Sequence, residues 1–169
     1  MPSPVKAYAA LKAATPLAPF RITRREPGPC DVVIDIQFCG VCHSDIHFAS
    51  GYMPGMLFPL VPGHEIVGKV VAVGGSVSRY QVDDVVGVGC MVDSCRRCEE
   101  CRDGQEQFCD GMIITYGAYE KDGKTPTYGG YSSRIVVDEN YVLKVSGRLD
   151  PAGAAPLLCA GITTYSPLR

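Results

Sequence analysis

The chain has 169 residues, 46% of them apolar and 20% charged, with a formal net charge of −2. That length supports one domain with a sizeable core, and a slightly acidic chain without a Lys/Arg-rich block disfavours nucleic acid as a partner. No run approaches the ~18 apolar residues of a membrane span, and no basic segment followed by an apolar core opens the chain, so a cytoplasmic setting without membrane contact is expected.

In chain order, Val5–Ala9 and Phe20–Arg24 alternate well enough for two short strands, separated by prolines at 16 and 19. Residues 25–29 read as a turn, and Asp31–Phe38 is the clearest early strand, rich in β-branched residues. Residues 49–62 carry two glycines and three prolines and read as a surface loop. Ile66–Val73 is the next strand and ends at a Gly-Gly turn; Val82–Val88 comes after it. Residues 111–128 read as irregular, residues 129–137 as strand, and Tyr141–Val145 as one more strand. From Asp150 the sequence turns small and apolar, which predicts a helical stretch in two pieces broken at Pro156. Short, closely spaced strands with glycine turns favour a mainly β, partly open barrel or sandwich over parallel βαβ units.

Nine cysteines are many for such a chain. Without an export signal they point to metal rather than to disulfides. Four of them, Cys95, Cys98, Cys101 and Cys109, fall in a C-x2-C-x2-C-x7-C pattern within fifteen residues. Four thiolates close a tetrahedral shell around zinc and leave no place for substrate, which marks a structural site. An iron–sulfur cluster is the rival, but the bacterial ferredoxin run has a shorter last gap and a proline after the last cysteine, where Asp110 stands here.

A second concentration of chemistry lies at Cys39–His47, where two thiols, two imidazoles, a hydroxyl and a carboxylate come directly after the strongest strand. A catalytic zinc takes three protein ligands and keeps one position open. One thiolate from this stretch, with His64 and Cys159, would make such a set.

Together these stretches resemble one family, the zinc-dependent medium-chain alcohol dehydrogenases. The matching pieces are Gly40–Asp45, Pro62–Glu65, the four-cysteine lobe, Gly129–Tyr131 and Pro156–Thr163, in the family's order. The wording of the first and last is most similar to the cinnamyl-alcohol-dehydrogenase branch, which includes bacterial broad-range aldehyde reductases. The resemblance implies a GroES-like, partly open β-barrel with a few short helices over residues 1–169, with 90–112 as a zinc-stapled lobe. It implies Cys42, His64 and Cys159 as catalytic-zinc ligands, with Glu65 beside the metal and Asp45 orienting His64. It places Ser44 and then His47 in a proton relay, and His43 and Thr163 against the cofactor. Two zinc ions, NADP(H), a small alcohol or aldehyde and a homodimer are the implied cofactors and partners. Cys30, Cys39 and Cys90 are left over and are expected to be buried thiols.

The chain departs from the family in one respect. It contains no G-x-G-x-x-G fingerprint for a dinucleotide. The family's Rossmann domain is therefore expected beyond residue 169, and residues 1–169 alone are expected to be inactive and incomplete at the C-terminal end of the barrel. A non-catalytic zinc-stapled binding module is the alternative, although it would need no open metal position.

Overall fold

The computed structural model describes residues 4–169. Strands β1 (Pro4–Ala9) and β2 (Ala18–Thr23) pair as an antiparallel hairpin. The central sheet is built from β3 (Asp31–Cys39), β4 (Ile66–Val73), β5 (Val85–Val88), β8 (Arg134–Asp138) and β9 (Leu143–Lys144). Its five strands lie in the spatial order β8-β3-β4-β5-β9. A third, two-stranded sheet joins β6 (Met91–Asp93) to β7 (Ile113–Ile114). Among the described residues there are also four short α-helices, α1 (His43–Ala49), α2 (Glu99–Arg102), α3 (Pro151–Ala154) and α4 (Ala160–Tyr165), and several 3-10 turns. Every strand pairing in these sheets is antiparallel and none of the sheets closes on itself, as the expected mainly β, partly open architecture requires.

Alternation places the core. Val32 and Ile34 of β3, Ile66 and Val70 of β4, Val86 and Val88 of β5, and Ile135 and Val137 of β8 occupy every second or fourth position and meet in one buried cluster. Burying each such side chain is worth about 1.5–3 kcal/mol, so this cluster is a main apolar support of the fold. Its long strand β3 slips register against β4 twice, between Val33 and Ile34 and again between Ile36 and Phe38. Such irregularities bend a strand and re-aim the residues at its end. At the end of β3 stands the Cys39–His47 stretch, so the bends turn the chemistry-bearing residues away from the sheet's own direction.

The differences from expectation have local causes. The strand expected over 82–88 begins only at Val85, because Asp83 takes a left-handed φ of 79° that a strand does not allow. Gly129–Ser133 is not strand: Gly129, Gly130 and Tyr131 donate to the carbonyls of Val61, Gly63 and Pro62, outside the sheet's ladder. The last strand shrinks to Leu143–Lys144 behind a 3-10 turn over Glu139–Tyr141. The 49–62 loop is not all surface, since Leu60, Val61 and Pro62 are buried. The helical tail breaks at Cys159 (φ −131°, ψ −73°) and not at Pro156, which sits inside a 3-10 turn over Ala155–Leu158. A proline is tolerated in the first turn of such a segment because its missing N–H would be unpaired there anyway.

Candidate metal centre

Four residues from distant parts of the chain meet at the end of the central sheet. Cys42 caps the start of α1, His64 and Glu65 lead into β4, and Cys159 stands at the break before α4. One ligand atom from each lies within 4.8 Å of all the others. The Cys42 and Cys159 sulfurs are 3.8 Å apart. Two sulfurs held about 2.3 Å from one zinc at the tetrahedral angle stand about 3.8 Å apart, so the donor set fits that ion. His64 Nε2 is buried without a hydrogen-bond partner, which is how a metal-donor nitrogen looks before its ion is added. Burial, together with the neighbouring thiols of Cys90 and Cys42, pushes the Cys159 thiol up to about 12.

One carboxylate organises two of these ligands. Asp45, at the third position of α1, accepts the N–H of Cys42 at 2.9 Å, one half of a capping box. Its other oxygen accepts the N–H of Gly63 at 2.9 Å, one residue before His64. The Tyr131 hydroxyl adds a donor at 3.3 Å. None of its hydrogen bonds goes to the His64 imidazole. Through these bonds Asp45 ties the backbone at Cys42 to the backbone one residue before His64.

Two glycines leave room for this arrangement. Gly63 has φ +103°, and a Cβ there would come within 2.8 Å of the Cys39 sulfur and the Tyr131 ring. At Gly40 a Cβ would lie 1.9 Å from Glu65 Oε2, so the buried Glu65 side chain takes the space a larger residue would fill. Burial raises the Glu65 carboxyl above its ordinary range. Sequence reasoning passes over Arg24, whose buried guanidinium donates to the carbonyls of Arg134, Tyr128 and Gly129 and to the Ser132 hydroxyl. It thereby pins the segment lying against Pro62 and Gly63. Burial lowers Arg24 to about 10. An arginine just past an early strand gives no signal of this role, because its partners are backbone carbonyls about a hundred residues away.

The other cysteine set is local. Cys95, Cys98, Cys101 and Cys109 also place their sulfurs within 4.8 Å of one another, with Cys95 and Cys101 at 3.9 Å. Backbone N–H groups turn toward the sulfurs, from Cys98 to Cys95 at 3.3 Å and from Cys95 to Cys109 at 3.4 Å. The N–H groups of Arg97 and Cys98 hold the Cys95 thiol down to about 6, favouring the thiolate that metal needs. Strands β6 and β7 pair on either side of the four cysteines, Met91 with Ile114 and Asp93 with Ile113.

The remaining predicted residues are less tightly drawn together. The Cys42 thiol donates to Ser44 Oγ at 3.5 Å, which puts this hydroxyl at the edge of the cluster. His47 is exposed; its ring packs edge-on against His43 at 4.4 Å and beside Tyr52 at 5.2 Å, with no hydrogen bond to Ser44. His43 and Thr163 are exposed too. The leftover thiols are not the buried ones expected: Cys30 and Cys39 are half-buried and Cys90 is exposed. Burial still raises Cys39 to about 12. A cleft of about 820 Å³ between the β1–β2 hairpin and β3 reaches the centre's surroundings only through Cys39, Gly130 and Tyr131. No helix among the described residues is long and apolar enough to cross a membrane.

The alcohol dehydrogenase GroES-like domain matches residues 28–147. Over 169 residues the chain is 58% identical to NADP-dependent alcohol dehydrogenase C 1 of Mycolicibacterium smegmatis, covering 99% of this chain and 48% of that protein. It is 57% identical over 166 residues to the aldehyde reductase YahK of Escherichia coli, again covering 48% of its length. Among solved structures, that of CAD from Helicobacter pylori complexed with NADP(H) superposes with a TM-score of 0.96 at 46% identity, over 99% of this chain and 49% of that one. The chain thus spans about half the length of the relatives it matches. On these grounds the chain belongs to the alcohol dehydrogenase GroES-like domain family.

Proposed function

We propose that this chain supplies the catalytic zinc site and the proton path of an oxidoreductase that interconverts primary alcohols and aldehydes by hydride exchange with NADP(H). The observation that carries the proposal is the convergence of Cys42, His64 and Cys159, within ligating distance of one another and beside the Ser44 hydroxyl. The names of relatives at 57–58% identity, an NADP-dependent alcohol dehydrogenase and an aldehyde reductase, support the reaction class.

Cys42, His64 and Cys159 hold one zinc, and Glu65 stands by as a further oxygen donor. Zinc bound there supplies a Lewis acid for a substrate oxygen. Cys95, Cys98, Cys101 and Cys109 hold a second zinc that fixes the lobe within a catalytic unit formed by residues 1–169. Ser44, half-buried at the cluster's edge, takes or returns the substrate's proton. His47, exposed on the next turn of α1, exchanges that proton with water. His43 and Thr163 meet the cofactor from the exposed side. No parallel βαβ unit of the kind that grips a dinucleotide occurs among the sheets of the described residues, whose pairings are antiparallel, and this supports a reading in which the segment alone turns over no alcohol.

Elemental analysis of freshly purified protein should find two zincs per chain; a single metal, or iron with acid-labile sulfide, would sink the two-site assignment. In an active enzyme carrying this chain, Ser44→Ala should lower turnover by roughly 10²–10⁴. His47→Gln should cost less, because water can replace the outer acceptor, and should alter the pH profile. Unchanged steady-state rates in Ser44→Ala would remove the relay from the mechanism.

A further inference from the structure

Among the described residues, the buried side-chain nitrogens and oxygens without a hydrogen-bond partner are His64 Nε2 and the Tyr116 hydroxyl. The two rings that own them are stacked, 18° from parallel with centroids 5.5 Å apart. A metal accounts for the first orphan. Nothing in the proposed chemistry accounts for the second.

The surroundings of Tyr116 show what it does. It is 2% exposed and lies just past β7, the strand that closes the lobe. Its ring meets Phe48 of α1 edge-on at 5.2 Å, so it is wedged between the helix that begins at Cys42 and the imidazole of His64. Burial and the nearby Asp45 carboxylate push its phenol well above the ordinary range, so the hydroxyl stays neutral. The Nε2 of the His64 ring has no hydrogen-bond partner. A metal-binding histidine usually fixes its ring by donating the second N–H to a carboxylate or carbonyl, yet the hydrogen bonds of Asp45 go to Cys42, Gly63 and Tyr131. The last torsion of histidine is broad and roughly two-fold, so something else must set the plane of the ring. The flat contact available is Tyr116.

We propose that Tyr116 is a positioning residue for the metal centre: its ring face sets the plane of the His64 imidazole and keeps a ring nitrogen in line with the Cys42 and Cys159 sulfurs. This rests on the zinc assignment above. It makes Tyr116, which lies outside the segments that carry ligands, part of what determines metal affinity at the open site. The stacking face supplies the effect, and the hydroxyl is secondary.

The test compares Tyr116→Phe, which keeps the ring, with Tyr116→Leu, which removes it. Zinc affinity of each site is read by competition with a chromophoric chelator, and the open site is also loaded with cobalt for its visible spectrum. Tyr116→Phe should hold the open-site affinity within about threefold. Tyr116→Leu should weaken it about 10–100-fold, the usual scale for losing a group that orients a ligand. It should also shift the cobalt bands while the four-cysteine site keeps its metal. A merely structural role would lower the melting temperature and leave the cobalt bands in place. Wild-type affinity and spectrum in Tyr116→Leu would overturn the proposal, as would an equal loss in Tyr116→Phe. Should Tyr116→Leu not fold, Tyr116→Met, unbranched and adaptable to the space but without a flat face, is judged on the same scale. A wild-type chain that binds zinc only in the lobe would instead overturn the zinc assignment itself.

Discussion

The four sulfurs of the lobe come from fifteen consecutive residues, whereas the Cys42 and Cys159 sulfurs that meet at 3.8 Å are separated by 117 positions. Apart from its β6–β7 pairing and a few polar contacts, the lobe has no core of its own. None of residues 93–113 belongs to a buried apolar cluster, and its ties to the sheet are polar ones such as Arg96 to Asp138 at 2.8 Å. The open set is the reverse case. Its ligands hang on elements already fixed by the core: Ile66 comes directly after Glu65, and Ala154 and Ala155 pack on Val67 a few residues before Cys159. On the proposed two-zinc assignment, metal binding in the lobe is folding energy, whereas at the open set the fold comes first and the metal uses it.

The largest expected effect arises from that contrast. Cys98→Ser should open the closed shell, release its zinc and lower the melting temperature by about 10 °C, equivalent to roughly 3–5 kcal/mol for a chain of this size. Limited proteolysis should then cut between residues 95 and 110, while the open site still takes up one zinc. An unchanged melting temperature together with two zincs would erase the difference between the two sets.

A middle-sized effect should come from Gly40→Ala, which sharpens the contrast from the other side. A Cβ at this position meets Glu65 Oε2 at 1.9 Å and Glu65 Cβ at 3.0 Å, so the buried carboxylate must move. Overpacking of this kind costs about 1–3 kcal/mol. Differential scanning calorimetry should register it as a drop of several degrees, and chelator competition should find the open site weakened with the lobe's zinc untouched. A variant in which both sites hold metal as tightly as before would mean that Glu65 takes no part in shaping the donor set.

How far each region is legible in the sequence obeys the same divide. The C-x2-C-x2-C-x7-C spacing announces its site because the ligands are neighbours in sequence, so spacing alone carries the geometry. The strands at 31–39 and 66–73 are equally plain, since β-branched alternation is local information. The open set is legible only as a list of ligand types, and it takes a family resemblance to choose Cys42 over Cys39. The contacts that stay hidden depend on long-range approach. Arg24 reaches carbonyls across more than a hundred residues, Tyr116 stacks on His64, and Asp45 holds the backbone N–H groups of Cys42 and Gly63. The break at Cys159 escapes the sequence for a related reason: proline is the visible breaker, but the bend belongs to the residue that must present its sulfur.

The smallest effect on stability, and the most direct measure of the contrast, should come from Cys159→Ser. The replacement is close in size, and Cys159 is only half-buried at the break between a 3-10 turn and α4. Anchoring of this tail rests on Ala154, Ala155 and Leu158 against Val67, contacts that the substitution does not touch. The half-buried hydroxyl is left near solvent and costs little, so the melting temperature should fall by less than about 3 °C, the equivalent of roughly 1 kcal/mol. A hydroxyl is also a far weaker zinc ligand than a thiolate, and two protein ligands do not retain the ion. Zinc content should therefore fall from two per chain to one, with the remaining metal in the lobe. The two readouts must separate: metal lost, fold kept. If instead Cys159→Ser melts as early as Cys98→Ser, the open set is also a staple of the fold, and the division between a site that builds structure and a site that borrows it fails.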